Sequence, residues 1–207
     1  HSLDRVNIKP GAIGPYTKEI NPIDDWPHLD QTDSDDPYKC IQASFVITNS
    51  SACFRCSPKS HKVFTEILEM CKFRGHKGNW CSIKKCEKIG MSKRLVEKKA
   101  GGKWQIPIPA KRGSCVLWLS SVVHSAIYQK EKTEKNPDFD GWRIVYYITF
   151  RPSSEFTESQ KKKIKKYEEE NRFMNHWNTL VFPKWPQQRY KDKSEYHEAI
   201  VKYVDGE

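Results

Sequence analysis

The pattern of apolar and polar positions divides this chain into short strand-like runs and a few helical ones. Lys39 to Thr48 alternates imperfectly and is rich in β-forming residues, which predicts a strand. Ala52 to Cys56 predicts a second, shorter strand after the turn-like Asn49-Ser50-Ser51. Ser60 opens a helix in which Val63, Phe64, Ile67, Leu68 and Cys71 fall on one stripe. Cys115 to Leu119 reads as a short apolar strand, and Arg143 to Phe150 as the strongest strand in the chain. Thr157 followed three residues later by Gln160 makes a capping-box pattern, opening a highly charged helix that runs to about Arg172. Residues 74–112 are Gly-punctuated and poorly periodic, and predict an irregular insertion closing near Trp104-Gln105-Ile106-Pro107. Gln129 to Gly141 reads as a polar loop. The C-terminal part, 157–207, is then a helix followed by an irregular tail that packs across the domain.

Many short strands with few helices predict a mainly β chain built as a sandwich or barrel of antiparallel sheets. The 207 residues suit one domain spanning 1–207, and a hydrophobic fraction of 37% with 12% aromatics is enough for a buried core. General disorder is excluded on that composition. No apolar run approaches the ~18–20 residues of a bilayer span, so no membrane contact is expected. His1-Ser2-Leu3-Asp4 lacks the apolar stretch of a secretion signal. The seven cysteines, an odd count, then read as reduced thiols of an intracellular protein, cytoplasmic or nuclear and not secreted.

Charge is unevenly placed. Residues 55–112 carry sixteen Lys and Arg against four Asp and Glu, whereas residues 1–54 carry four against eight. The basic segment should attract something anionic.

Three residues suggest metal chemistry. In the extended segment His28-Leu29-Asp30, the first and third side chains point to one side, so imidazole and carboxylate converge. His124, just after the strand ending at Leu119, is the third candidate. Two histidines and one carboxylate on one face of an ion leave positions open, an arrangement that suits non-haem Fe(II) oxygenases. Most such enzymes use 2-oxoglutarate, whose distal carboxylate needs a cation, best an Arg fork. Arg143 opens the most hydrophobic strand, 19 residues after His124. Taken singly, each residue has a plainer account. His28 reads as a surface loop histidine, His124 as a satisfied core histidine, and Arg143 as an ion-pair residue at a strand end. Their order and their placement on strands favour the joint reading.

Several stretches together resemble the phytanoyl-CoA dioxygenase-like family of Fe(II)/2-oxoglutarate enzymes. These are His28-Leu29-Asp30-Gln31-Thr32, Cys40-Ile41-Gln42-Ala43, and Cys53 to Lys62 with its Ser57-Pro58-Lys59-Ser60-His61-Lys62 turn. Gly113 to His124, and Arg143 with its Tyr-rich strand ending Arg151-Pro152, also fit. Asn175-His176-Trp177 is similar to a segment of some members, large-virus homologues included. The match covers about residues 5–183. The resemblance implies a double-stranded β-helix, jelly-roll or cupin-like, with a few flanking helices. It implies a hydroxylase in which His28, Asp30 and His124 bind Fe(II) and Arg143 holds 2-oxoglutarate, which is decarboxylated to succinate. Gln42 would fall on a strand position facing the pocket and hydrogen-bond the co-substrate; a solvent-face glutamine is the equal alternative. His61 would fix the turn.

The chain also departs from the family pattern. Lys59 replaces a turn glycine, Leu119 and Ser121 replace an Asp and an Arg, and Ala126 stands where relatives carry Ser or Asn. The loop between His124 and Arg143 is longer than usual, and the bracing N-terminal helices of relatives have no counterpart.

A second class of function competes. Cys71, His76, Cys81 and Cys86 lie in the basic segment at spacings that could suit zinc, although paired CxxC motifs are lacking. Phe73, Trp80 and Trp104 interleave with Lys and Arg, which suits a nucleic-acid-binding module, zinc-stabilised or not, or an oxygenase acting on nucleic acid or another anionic substrate. A solvated basic surface is the plainer account and is preferred over nucleic-acid binding.

Overall fold

The computed structural model describes residues 2–10, 26–48, 54–75, 79–83, 86–126 and 142–169. Among these the chain is mainly β, with two antiparallel sheets and three α-helices. Nine strands run in chain order: β1 (Ser2–Pro10), β2 (His28–Leu29), β3 (Ile41–Val46), β4 (Phe54–Cys56), β5 (Cys81–Ser82), β6 (Ile106–Ile108), β7 (Cys115–Leu119), β8 (His124–Ala126) and β9 (Trp142–Phe150). The helices are α1 (Phe64–Cys71), α2 (Cys86–Arg94) and α3 (Glu158–Glu169). One sheet has the order β1-β9-β3-β7, the other β5-β2-β8-β4-β6.

The strands follow their side-chain alternation. In β3, Ile41 and Phe45 are exposed while Gln42 and Ser44 are buried, so one face turns outward and the other towards the second sheet. In register, Gln42 stands opposite Trp118 of β7 and Thr149 of β9, and all three are buried. Trp118 then packs on Phe54 of β4, with ring centroids 4.6 Å apart, bridging the sheets. β1 is an edge strand with a bulge between Leu3 and Val6, and it closes on Pro10, a residue that edge strands tolerate. Its apolar positions alternate only over Val6-Asn7-Ile8, a weak strand signal.

The main apolar cluster lies beside the five-stranded sheet. Leu29, Val63, Phe64, Ile67, Leu68, Cys71, Cys81, Ile83, Val96 and Val123 are all buried there. The stripe expected from Val63 to Cys71 is the face that α1 buries, and each large apolar side chain so covered contributes about 1.5–3 kcal/mol. The helix starts later than Ser60, because Ser60–Lys62 forms a 3₁₀ turn first. Lys59 before it has φ 67°, the left-handed region where a glycine would sit unstrained. The lysine at this position is therefore accommodated by backbone strain rather than by a different turn.

The stretch 74–112 is more regular than its pattern predicts. It contains β5, α2, a π-helical turn over Leu95–Lys99, and β6. Among the described side chains of this helical run only Ser92 and Val96 are fully buried, so its apolar stripe is weak. Gly102 closes the run against the Pro58 carbonyl, where a Cβ would collide with backbone. At α3 the capping box forms as expected. The Gln160 side chain accepts from the Thr157 amide at 2.9 Å, and the Thr157 hydroxyl accepts from the Gln160 amide at 3.2 Å. The loop Gln129 to Gly141 and the tail 176–207 lie outside the described residues, as do Cys53, His76 and Asn175-His176-Trp177. No helix among the described residues is long and apolar enough to cross a membrane.

Candidate metal centre

Two strands and one bend bring the candidate ligands together. His28 of β2 stands directly opposite His124 of β8, with their ring centroids 4.2 Å apart. Asp30 leaves β2 in a bend, and its backbone amide donates to the Ser120 carbonyl at 3.1 Å. Ligand atoms from His28, Asp30 and His124 all lie within 4.8 Å of one another, and all three residues are buried. Among the described residues this is the one His/Cys/Asp/Glu group so arranged.

The flanks of each ligand are pinned. Val123 and Ser125 bracket His124. The Ser60 hydroxyl accepts from the Val123 amide at 2.8 Å, and the Gln105 side-chain amide donates to the Val123 carbonyl at 3.3 Å. The Ser125 hydroxyl donates to Gln105 Oε1 at 2.6 Å. After Asp30, the Gln31 side-chain amide donates to the carbonyls of Ser34 and Asp36, and the Ser120 hydroxyl donates to Gln31 Oε1. Trp26 stacks on His28 with centroids 4.2 Å apart and 12° between planes. These contacts leave the ligands little rotamer freedom.

Hydrogen bonding also sets the histidine tautomers. His28 Nδ1 lies 3.0 Å from the Trp26 carbonyl, and His124 Nδ1 lies 2.9 Å from the Val122 carbonyl. A carbonyl only accepts, so each neutral ring carries its proton on Nδ1 and bears a lone pair on Nε2. Both Nε2 atoms face Asp30, at 3.7 Å from Oδ1 for His28 and 3.3 Å from Oδ2 for His124. With both rings neutral, two lone pairs and a carboxylate face one buried space. A divalent cation between them resolves that opposition and satisfies all three groups, so the residues fit a metal ion.

Gln42 of β3 reaches Asp30 itself. Its Nε2 donates to Asp30 Oδ2 at 2.9 Å, and its Oε1 accepts from Trp118 Nε1 at 2.7 Å. It is fully buried rather than on a solvent face. Trp118, which the strand pattern marks only as one more apolar position, is the residue behind it. Indole N–H groups seek partners when buried, and that is the available signal. Arg143 occupies β9 opposite Lys9 of β1, and its side chain lies outside the described residues. His61 is part of the 3₁₀ turn and lies against Tyr38, with centroids 6.0 Å apart.

Of the four residues considered for zinc, Cys71 and Cys81 are buried in the same apolar cluster, while His76 and the Cys86 side chain lie outside the described residues. The Cys81 thiol hydrogen-bonds the Cys71 sulfur, which lowers Cys71 to about 7, and the same bond with burial pushes Cys81 up. Near the centre, burial pushes the Cys40 thiol up to about 12, against the opposing pull of Arg151.

No protein-family model matches this chain, and no curated protein matches it either. Among solved structures, the crystal structure of EvdMO1 superposes on 72% of this chain and 26% of its own, with a TM-score of 0.39 and 15% identity. The chain thus spans about a quarter of that structure's length. A likeness this distant says nothing about function, which is left to the chemistry of His28, Asp30 and His124.

Proposed function

We propose that this protein is an Fe(II)- and 2-oxoglutarate-dependent dioxygenase that hydroxylates an organic substrate. The observation that carries the reading is the buried His28–Asp30–His124 group, with both imidazole Nε2 lone pairs turned on one carboxylate. Two imidazoles and a carboxylate on one side of an ion suit iron and leave coordination positions for other ligands. The strand order supports a double-stranded β-helix: β1, β3, β7 and β9 fall in one sheet, and β2, β4 and β8, the strands that interleave with them in the chain, fall in the other. Such a fold places β2 and β8 side by side at its mouth.

When bound, the iron and 2-oxoglutarate supply oxidation of a C–H bond coupled to decarboxylation of the ketoacid to succinate. The chain's own contribution is positioning. His28 and His124 present Nε2, fixed by the Trp26 and Val122 carbonyls. Asp30 presents a carboxylate oxygen from a bend tied to Ser120. Trp118, Phe54 and Trp26 surround the histidines with aromatic rings and exclude water on those sides. Arg143 on β9 is the residue we assign to the distal carboxylate of 2-oxoglutarate.

Anaerobic addition of Fe(II) and 2-oxoglutarate should give the weak visible absorption of an iron–ketoacid chelate, and admission of air should release succinate. Absence of both from the wild-type protein, or an undiminished band in Asp30→Ala, would sink the assignment.

A further inference from the structure

Gln42 sits between a donor that cannot accept and a carboxylate that, ionised, cannot donate. Trp118 Nε1–H can only donate, so the atom of Gln42 facing it at 2.7 Å must be Oε1. That forces the Gln42 NH₂ group towards Asp30 Oδ2, at 2.9 Å. The three groups are buried, Gln42 completely, so water does not substitute for either bond. Trp118 itself is held by rings on three sides: Phe54 at 4.6 Å, His124 at 5.3 Å and Tyr147 at 6.4 Å. Trp118 and Gln42 are register partners on adjacent strands, so the relay is built into the pairing of β3 with β7.

We propose that Trp118 and Gln42 form a positioning relay that holds Asp30 as a one-oxygen metal ligand by engaging Oδ2 with a directed N–H. The proposal rests on the metal-centre reading and adds residues outside the ligand set. With one carboxylate oxygen occupied by Gln42, Asp30 fills a single coordination position, and the remaining positions stay open for co-substrate and oxygen. Trp118 supplies the direction: its N–H anchors Oε1, and without that anchor the Gln42 amide is still drawn to the carboxylate but loses the hydrogen bond that fixes its plane and the aim of its N–H. Gln42 is a positioning residue, since its amide reaches Asp30 and acts through it.

The test uses Co(II), whose visible spectrum reports coordination number, titrated into the full chain. The wild type, Gln42→Leu, Gln42→Glu and Trp118→Phe are compared, with metal-free thermal melts alongside. Loss of a partner to a metal ligand commonly costs 10–100-fold in metal affinity. Gln42→Leu should therefore bind Co(II) at least tenfold more weakly, with an altered band shape. Gln42→Glu keeps the size and the acceptor for Trp118 but has no N–H, so it should be as weak or weaker; a space-filling role would tolerate it. Trp118→Phe keeps the ring packing, so it should shift the spectrum while its metal-free melt stays close to the wild type. Wild-type affinity and spectrum in Trp118→Phe and either Gln42 variant would overturn the relay while leaving the metal centre standing. Should the Gln42 variants not fold, an unchanged Trp118→Phe spectrum overturns it alone. Failure of the wild type to bind Co(II) would overturn both.

Discussion

Asp30→Asn separates a ligand from a structural acid. Asp30 is 2% exposed, and burying an ionised carboxylate costs several kcal/mol before its partners compensate. In the metal-free protein part of its compensation is the Gln42 hydrogen bond at 2.9 Å, about 1.5–3 kcal/mol for a charged acceptor. Against that stand two Nε2 lone pairs at 3.3 and 3.7 Å. An asparagine keeps an acceptor for Gln42 and offers an N–H to a histidine lone pair. The variant should therefore melt at or above the wild type when metal is absent. With metal at a hundred times its dissociation constant, the wild type gains about 2.7 kcal/mol by mass action. For a chain of this size that is a rise of roughly 5–11 °C. If Asn binds a hundredfold more weakly, its rise at the same metal concentration falls to roughly 1–2 °C. Calorimetry with chelator and then with Mn(II) or Co(II) reads both quantities. A clear drop in the metal-free melting temperature together with a full metal-dependent rise would refute the reasoning, because Asp30 would then serve the fold and not the ion.

Two further outcomes concern a residue assigned to the co-substrate and a buried thiol beside the centre. Arg143→Ala should leave metal affinity nearly intact and weaken 2-oxoglutarate by about 2–4 kcal/mol, as isothermal titration would read; unchanged affinity would pass the role to another cation such as Arg151, whose Nη2 donates to Glu155 at 3.1 Å. Cys40 adds a pH dependence above neutrality. Its folded value near 12 lies above its ordinary 9.0, so its contribution is fully present below pH 9 and lost as pH rises through 12, on the order of 4 kcal/mol in all. Denaturant midpoints from pH 8 to 11 should fall more steeply for the wild type than for Cys40→Ala, and parallel slopes would remove Cys40 as the cause.

Local order was legible in the sequence wherever a short-range rule applied. The period-two run of β3, the apolar stripe of α1 and the Thr157–Gln160 box each depend on neighbours within a few residues, and each formed. So did the i, i+2 placement of His28 and Asp30. The helical run from Cys86 to Lys99 escaped because its buried positions are too few to make a stripe, and β1 because an edge strand needs only its ladder to β9. The site was legible as a set of residue types and no further. Only the fold decided that His28 stands across from His124, since that pairing joins strands 96 residues apart in sequence. It also made Gln42 a partner of Asp30. A strand pattern says that Gln42 faces inward; what it meets there is decided by the register of β3 on β7, which sets Trp118 opposite, and by the bend that carries Asp30 over from the other sheet.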